Sequence, residues 1–466
     1  MTLRLSQIRA WLGLPAGSSD AQVRGWSIDS RTIRPGELFF AIRGPRHDGH
    51  GFVGDAFARG AAGAVVADAG AGPRAGALVV VPDTVAALQR VAARARNAWG
   101  GRVVAVTGSC GKTTTKEAIA TLLGQFVTTA KSEGNLNNEF GLPLSLLRIP
   151  DRARAAVVEI GINHPGEMGP LARIAAPDVS VVTNVGPAHL GNFASVDEIA
   201  WEKGRLVAAL SAEGCAVLNA DDRRVAAFGR RHKGRSLTFA IEGEADFRAE
   251  DVEDRGIEGS RFKLGGLRLS SPLAGRHNVY NVLAAIAAAR PFGIAPGDLA
   301  GALRRLQPSP MRGVIRKRGG VVLIDDCYNA NPDAVRAMLR VLRRTSALRR
   351  IAVLGEMREL GARSRELHRQ VGRAVASSGI DYLVAVGGDA AEIASSAGIP
   401  AEYCASAGEA AAVLQALVRR GDAVLLKGSR GVGLEQARDP LLEMLARSGG
   451  GAAERTALRA ACCISS

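Results

Sequence analysis

The stretch RVVAVTGSCGKTTTKE, residues 102–117, decides the fold. Arg102 to Thr107 is a short aliphatic run of the kind a buried parallel strand needs. Gly108, Ser109, Cys110 and Gly111 then turn the chain, and a helical pattern opens at Lys112, Thr113 and Thr114. Glycines in such a turn let successive backbone N–H groups point inward at an anion, and the start of the helix adds partial positive charge. In that frame Lys112 reaches the β- and γ-phosphates of a nucleotide and the Thr113 hydroxyl serves Mg²⁺. The match to GxxxxGK[ST] is incomplete, because Val106 stands where the first glycine would be. A structural turn with an incidental lysine is the plainer reading; the strand–loop–helix context argues against it.

Further aliphatic runs occupy 155–160, 179–183 and 216–219, with helical patterns between them. This alternation predicts a doubly wound parallel sheet, where ligands bind outside the carboxyl ends of the strands. Glu159 closes one run and is expected to face the same Mg²⁺ as Thr113. His189 follows the next and implies a second, less typical cation site on that edge, since Mg²⁺ itself prefers oxygen. Alone, Glu159 reads equally as a cap or surface charge, and His189 as a core or capping histidine; the neighbouring loop tips both toward a site. Asn135, Asn137 and Asn138 form an amide-rich loop that would hold a hydrogen-bonding substrate or simply make turns. Residues 275–281 open a helix predicted over 278–289, with capping as their alternative. Residues 237–272 read as short alternating strands with glycine turns, a small antiparallel ribbon.

Upstream, runs at 38–42, 63–67 and 77–81 look like buried strands, and a helix is predicted over 84–99. After a linker at Gln307–Pro310, runs at 321–325, 350–355, 382–387 and 423–427 begin a second alternating series. A chain of 466 residues exceeds one core. The expected architecture is α/β with three domains. A small α/β N-terminal domain spans 1–82. A central P-loop-type doubly wound parallel sheet spans 83–309. A C-terminal Rossmann-like α/β domain spans 310–448, followed by a disordered Gly/Ala-rich tail over 449–466.

Hydrophobic residues make up 47% and aromatics only 4%, so aliphatic side chains carry the packing. The formal net charge of +15 comes from cations spread along the chain. No block of like charge stands out and no aromatics interleave with the basic residues, which does not fit a nucleic-acid groove. Anionic small substrates match the charge equally well. The six cysteines form no CxxC pair and no zinc-type spacing, which fits a reduced compartment. Leu5, Ile8, Trp11 and Leu12 share a helical face interrupted by Arg4, Gln7 and Arg9, unlike a signal peptide. No run reaches membrane-span length. A cytoplasmic, monomeric protein is expected.

Taken together these residues resemble the Mur ligase family, across the chain to about residue 448. The family marks are TGSCGKTTTKE (107–117), the EIG containing Glu159, TNVGPAHL (183–190), Lys203 within WEKG, LNADD (218–222) and GRHNVYN (275–281). Further marks are DSRTIRPGELFFAIRGPRHDGHGF (29–52), NLNNEFGLPL (135–144), INHPGEMGPL (162–171), IDDCYNANPDAV (324–335), LGEMRELG (354–361) and LKGSRGVGLE (426–435). They resemble the branch that uses ATP and Mg²⁺ to add D-alanyl-D-alanine to UDP-N-acetylmuramoyl-tripeptide through an acyl phosphate.

The resemblance implies that Ser30 and Arg31 lie in the domain holding the uridine end. It assigns Asn135, Asn137 and Asn138 to the muramoyl-peptide, and Thr107 to Thr114 to the ATP phosphates. Thr113, Glu159 and His189 would serve magnesium, with Lys203 supporting a second ion if carbamylated. Asn278 and Asn281 would approach adenine, Arg312 the γ-phosphate, Asp326 the ribose, and Tyr328 and Asn329 the nucleotide. Lys427 and Arg430 would meet the dipeptide carboxylate. Lys112, Glu159, His189, Lys203 and Arg312 are the expected catalytic set. The alternatives are another Mur-type ligase, or a P-loop ATPase without an amine acceptor, which would leave Glu159, His189 and the amide-rich loop without a role.

Overall fold

Leu5, Ile8 and Leu12 recur at helical spacing and are buried on helix α1 (Leu5–Leu12). The computed structural model describes residues 2–44, 47–70 and 77–449. The expected tail lies outside the described residues, apart from Gly449. α1 covers a four-stranded parallel sheet, β1 (Gly25–Ser27), β2 (Glu37–Phe40), β3 (Gly63–Val66) and β4 (Leu78–Val80), joined in sequence order. Trp26, Phe40, Val65 and Val79 are buried in the same core as Leu5, Ile8 and Leu12 of α1. Helix α2 (Thr84–Trp99), capped by Asp83, lies against α1 on one side. Its other side meets α4 (Gly141–Leu147) and α5 (Met168–Ala175), so one helix bridges two sheets.

The central sheet has seven strands, all parallel: β5 (Arg102–Thr107), β6 (Thr129–Lys131), β7 (Ala155–Glu159), β8 (Val179–Val182), β9 (Cys215–Asn219), β10 (Arg235–Ala240) and β11 (Phe247–Arg248). Their spatial order is β11-β10-β9-β8-β5-β7-β6. After β5 the chain builds toward one edge and then returns to the other side with β8. The strand order therefore reverses at β5, which opens a crevice at its carboxyl end. Val106 pairs with Glu159, and Thr107 with Val182. Helix α3 (Lys112–Leu123) leaves this crevice. Its Ala118, Ile119, Leu122 and Leu123 are buried against α7 (Arg276–Ala289), which starts two residues earlier than the sequence pattern implied.

The expected ribbon over 237–272 is corrected. Leu237 and Phe239 are buried under α7, so Arg235–Ala240 extends the parallel sheet instead. Only β12 (Glu250–Asp254), β13 (Ser260–Leu264) and β14 (Leu267–Ser271) form an antiparallel meander. Helix α6 (Val196–Ala208), which carries Lys203, lies between β8 and β9 in the chain.

A six-stranded sheet follows: β15 (Val314–Arg318), β16 (Val321–Asp325), β17 (Arg349–Gly355), β18 (Tyr382–Val386), β19 (Ala401–Cys404) and β20 (Asp422–Lys427), in the order β15-β16-β20-β17-β18-β19. The sheet is parallel except for β15, an antiparallel edge strand. The exposed Arg316, Lys317 and Arg318 hid β15 from an aliphatic-run reading, and charge on an edge strand blocks further pairing. Helices α8 (Pro332–Arg344), α9 (Ser364–Ala376), α10 (Ala407–Leu417) and α11 (Glu435–Gly449) complete this part.

Since α3 aims the glycine loop, its anchoring can be tested. Leu122 is fully buried; Leu122→Ala is expected to destabilise the central sheet by about 2–5 kcal/mol in urea unfolding. A loss below about 1 kcal/mol would show that the α3–α7 contact does not hold the helix.

Candidate active site

The loop after β5 is shaped from outside. The Thr183 hydroxyl donates to the Cys110 carbonyl at 2.6 Å. Asn184 acts as a peptide mimic: its Oδ1 accepts from Cys110 N–H at 2.9 Å, its Nδ2 donates to the Cys110 carbonyl at 3.2 Å, and its own carbonyl accepts from Ser109 N–H at 3.0 Å. The Ser109 hydroxyl donates to the Gly186 carbonyl at 2.9 Å and accepts from Gly186 N–H at 2.8 Å. Side chains are excluded at both glycines: a Cβ at Gly108 would overlap the Thr183 hydroxyl, and one at Gly111, held at φ +81°, would overlap Asn281 Oδ1. Gly111 caps α3 with no side-chain hydrogen bond, so the first N–H groups of a 12-residue helix remain for a ligand. Lys112 folds back over this cradle, donating to the Gly108 carbonyl at 2.8 Å. Burial pulls its pKa down, and Glu159 opposes that shift.

Thr113 Oγ1 lies 2.7 Å from Glu159 Oε2, and Asn137 Nδ2 donates to Glu159 Oε1 at 2.8 Å. A hydroxyl and a carboxylate beside a phosphate cradle are the oxygen donors that Mg²⁺ takes together with phosphate oxygens. No cluster of three or more His, Cys, Asp or Glu suited to a metal occurs among the described residues. Such an ion would therefore need the nucleotide as co-ligand. His189, in the left-handed region at φ +58°, turns Nδ1 to the carboxylate of Glu359. That contact holds the Glu359 carboxyl below its usual range.

The cavity, about 750 Å³, is lined by Ser109 to Thr114, by Asn135, Asn137, Asn138, Glu159, His189, Asn278 and Asn281, and by Arg312, Asp326, Tyr328, Asn329 and Lys427. Most of the expected site residues thus converge. Lys427 ion-pairs with Asp326 at 2.6 Å and donates to the Asn329 carbonyl at 3.0 Å. Burial raises the Asp326 carboxyl's pKa, and Lys427 opposes the rise. The Arg312 guanidinium sits over the Tyr328 ring, 3.9 Å from its centroid. The Asn281 and Asn278 amides are tied to each other at 2.8 Å, and Asn281 Oδ1 also accepts from Thr115.

Other expected residues do not line the cavity. Thr107 is fully buried within β5. Gly108 contributes its carbonyl to Lys112 from behind the cradle. Ser30 is buried in the N-terminal part, and Arg31 is exposed and paired with Asp29 at 2.7 Å; Ile28 is the nearby residue that reaches the cavity. Arg430 is exposed and pairs with Glu435 at 3.0 Å. Lys203 lies behind the lining at 3% exposure, with no ion pair among the described residues. Burial, then the Lys112 charge, depresses its pKa to about 7.

Several lining residues carried no assigned role: Asn184, Asn219, Asp222, His277, Asn331, Asp333 and Arg340. Asn219 ends β9 at the ligand-binding edge, a signal that could have been used. Asn184, two residues past β8, is recognised only once β8 and β5 are known to be neighbours. His277 is kept neutral by burial, its pKa pushed down to about 4, with Lys427 and Arg340 adding to the shift. Cys110 accepts from Asn331 Nδ2 at 2.9 Å, and burial raises its thiol pKa.

Three family models match in order along the chain: "Mur ligase family, catalytic domain" over residues 22–96, "Mur ligase middle domain" over 106–289 and "Mur ligase, glutamate ligase domain" over 304–430. The UDP-N-acetylmuramoyl-tripeptide--D-alanyl-D-alanine ligase of Bacillus subtilis is 34% identical over 432 residues, covering 90% of this chain and 93% of the relative. The ligase of the same name from Synechocystis is 36% identical, covering 91% and 93%. Among solved structures, MurF from Acinetobacter baumannii superposes with a TM-score of 0.87 at 30% identity, covering 95% of this chain and 99% of that one. MurF ligase from Thermotoga maritima in complex with ADP gives 0.81 at 30% identity, covering 91% and 98%.

The clasp on the loop makes a checkable claim. Thr183→Val keeps the side-chain shape but removes the shorter of the two donors to the Cys110 carbonyl, leaving only the Asn184 amide at 3.2 Å. ADP affinity by calorimetry is expected to fall about tenfold or more, with the fold retained. Unchanged affinity would mean that the loop holds its own shape.

Proposed function

The chain belongs to the Mur ligase family, and from that membership we propose that it is an ATP-dependent carbon–nitrogen ligase adding D-alanyl-D-alanine to UDP-N-acetylmuramoyl-tripeptide. The product would be the UDP-linked pentapeptide precursor of peptidoglycan. The observation that carries this reading is the composition of the cavity. It joins a phosphate cradle and Lys112 to Arg312 and Asp326, which flank β15 and β16 of the six-stranded sheet, and also includes the amide-rich loop and Ile28, which follows β1. A nucleotide and a second, extended substrate can therefore meet there. No helix among the described residues is long and apolar enough to cross a membrane, and the proposed compartment is the cytoplasm.

A free carboxylate acylates an amine poorly because oxide would have to leave. In the proposed reaction the tripeptide carboxylate attacks the γ-phosphorus of ATP, releasing ADP and forming an acyl phosphate. The amine of D-alanyl-D-alanine then attacks the acyl carbon, phosphate leaves, and a proton is lost from nitrogen. Two anions must approach each other for the first step, and Lys112 and Arg312 supply fixed positive charge against that repulsion. Mg²⁺, held through Thr113 and Glu159 with His189 nearby, would add further neutralisation of the phosphates. Asn137 holds Glu159 in place through its amide. Asp326, held by its ion pair with Lys427, presents its carboxylate to the ribose.

Lys203 has the chemistry for carbamylation. A buried amine with its pKa near 7 is substantially neutral at cytoplasmic pH. Such an amine can attack CO₂, forming an N-carboxylate and releasing a proton. The product is an anion placed near Lys112, where no carboxylate among the described residues pairs with Lys203.

The direct test is phosphate release from ATP and Mg²⁺ with the two substrates added separately and together. Release is expected only with both, matched by pentapeptide; release with neither, unaffected by either, would make the protein a plain P-loop ATPase. Lys112→Ala is expected to lose at least about 100-fold in kcat while keeping the fold; near-normal turnover would refute the mechanism. With ¹³C-bicarbonate, the native protein should show a carbamate carbon resonance that vanishes in Lys203→Ala. A resonance that persists there would place the modification elsewhere, and none in either protein would remove the proposed role.

A further inference from the structure

Arg312 is held unlike its neighbours. Lys427 is neutralised by Asp326 at 2.6 Å, and Arg438 by Asp325 at 2.8 Å. Arg312 makes no ion pair or side-chain hydrogen bond among the described residues, and instead its guanidinium carbon lies 3.9 Å from the centroid of the Tyr328 ring. Both residues line the cavity. The two segments that carry them are fixed together. Tyr328 N–H donates to the Met311 carbonyl at 3.1 Å, and Arg312 N–H to the Ser309 carbonyl at 3.1 Å. Met311 itself sits in the left-handed region at φ +60°, a conformation that an unbranched non-glycine residue adopts only when its surroundings impose it. The Tyr328 hydroxyl makes no hydrogen bond among the described residues.

A carboxylate partner would have fixed the guanidinium by occupying two of its five N–H donors and cancelling its charge. An aromatic face attracts the cation through its quadrupole and leaves every donor and the full charge available. At the rim of a cavity meant for a triphosphate, that difference matters.

We propose that Tyr328 is a positioning residue for phosphoryl transfer: its ring carries the Arg312 guanidinium over the cavity with the N–H edges free for an anionic phosphate oxygen. Its contribution runs through the ring face and through Arg312, and its hydroxyl is dispensable to it. This rests on the reading of Arg312 as the cation facing the γ-phosphate.

The experiment measures kcat and KM for ATP in Tyr328→Leu and Tyr328→Phe, each in the native and the Arg312→Ala backgrounds, with melting midpoints alongside. Tyr328→Leu is expected to lower kcat about tenfold, with a smaller change in KM. Tyr328→Phe should recover most of that loss, and Tyr328→Leu should add little once Arg312 is already alanine. If the leucine variant unfolds, Tyr328→Met, which also lacks a ring face, takes its place. A phenylalanine variant as impaired as the leucine one would assign the effect to the hydroxyl and overturn the proposal. So would an equal loss in the Arg312→Ala background, which would show that Tyr328 acts on the nucleotide independently. Near-native turnover by Arg312→Ala alone would instead refute the role of Arg312, and the proposal with it.

Discussion

The hydrogen bonds from the Thr183–Gly186 segment to Ser109 and Cys110 are the constraint on which the site depends. A loop rich in glycine has no reason to hold a single shape, because glycine loses more conformational freedom on ordering than any other residue. Here the shape is imposed by the chain that leaves the adjacent strand. β5 and β8 pair in register, so the residues following them emerge side by side. Asp222, beyond β9, accepts from Val185 N–H at 2.7 Å and extends the same support to the next strand. The anion cradle is thus a property of three neighbouring strand ends rather than of the loop alone.

Charge in the cavity follows one logic with two solutions. Buried cations are costly unless paired or about to be paired. Lys427 is paired within the protein, and its charge is already satisfied by Asp326. Lys112, Lys203 and Arg312 have no ion pair with a carboxylate among the described residues, and each reacts differently. Lys112 leans on loop carbonyls and on the field of Glu159. Lys203 shifts toward the neutral amine. Arg312, which cannot be deprotonated, rests on an aromatic face. A site that leaves positive charge unsatisfied is prepared for polyanions, and the cost of that arrangement falls to the surrounding cores. The closely packed aliphatic layers around β5, β7 and β8 supply the rigidity.

The four-stranded N-terminal sheet and the six-stranded sheet matter through what they bring to the rim. The contact of His189 with Glu359, together with the hydrogen bond from Gly191 N–H to the Glu359 carbonyl at 2.9 Å, joins the central sheet's loops to those of the six-stranded sheet. Asn331, at the start of α8, reaches Cys110 in the loop itself. The cavity is therefore closed on one side by groups that do not belong to the central sheet.

What the sequence determined by itself was local. Aliphatic runs bounded by glycine gave β5, β7, β8 and β9 nearly to the residue, because a strand buried on both faces must be apolar throughout. The glycine–lysine turn marked the phosphate cradle, and Glu159 was found because it ends such a run. Tertiary structure decided whatever depended on which strands are neighbours. Leu237 and Phe239 could have served an antiparallel ribbon or a parallel strand, and only the packing of α7 over them settled the matter. The basic strand β15 has no apolar signature and is a strand because β16 offers it a free edge. Asn184 supports the loop because β8 lies beside β5, the Lys203 pKa is drawn down by burial, and Arg312 is stacked because Tyr328 returns beneath it. Each of these depends on distance between residues far apart in the chain, and periodicity along the chain carries no record of that distance.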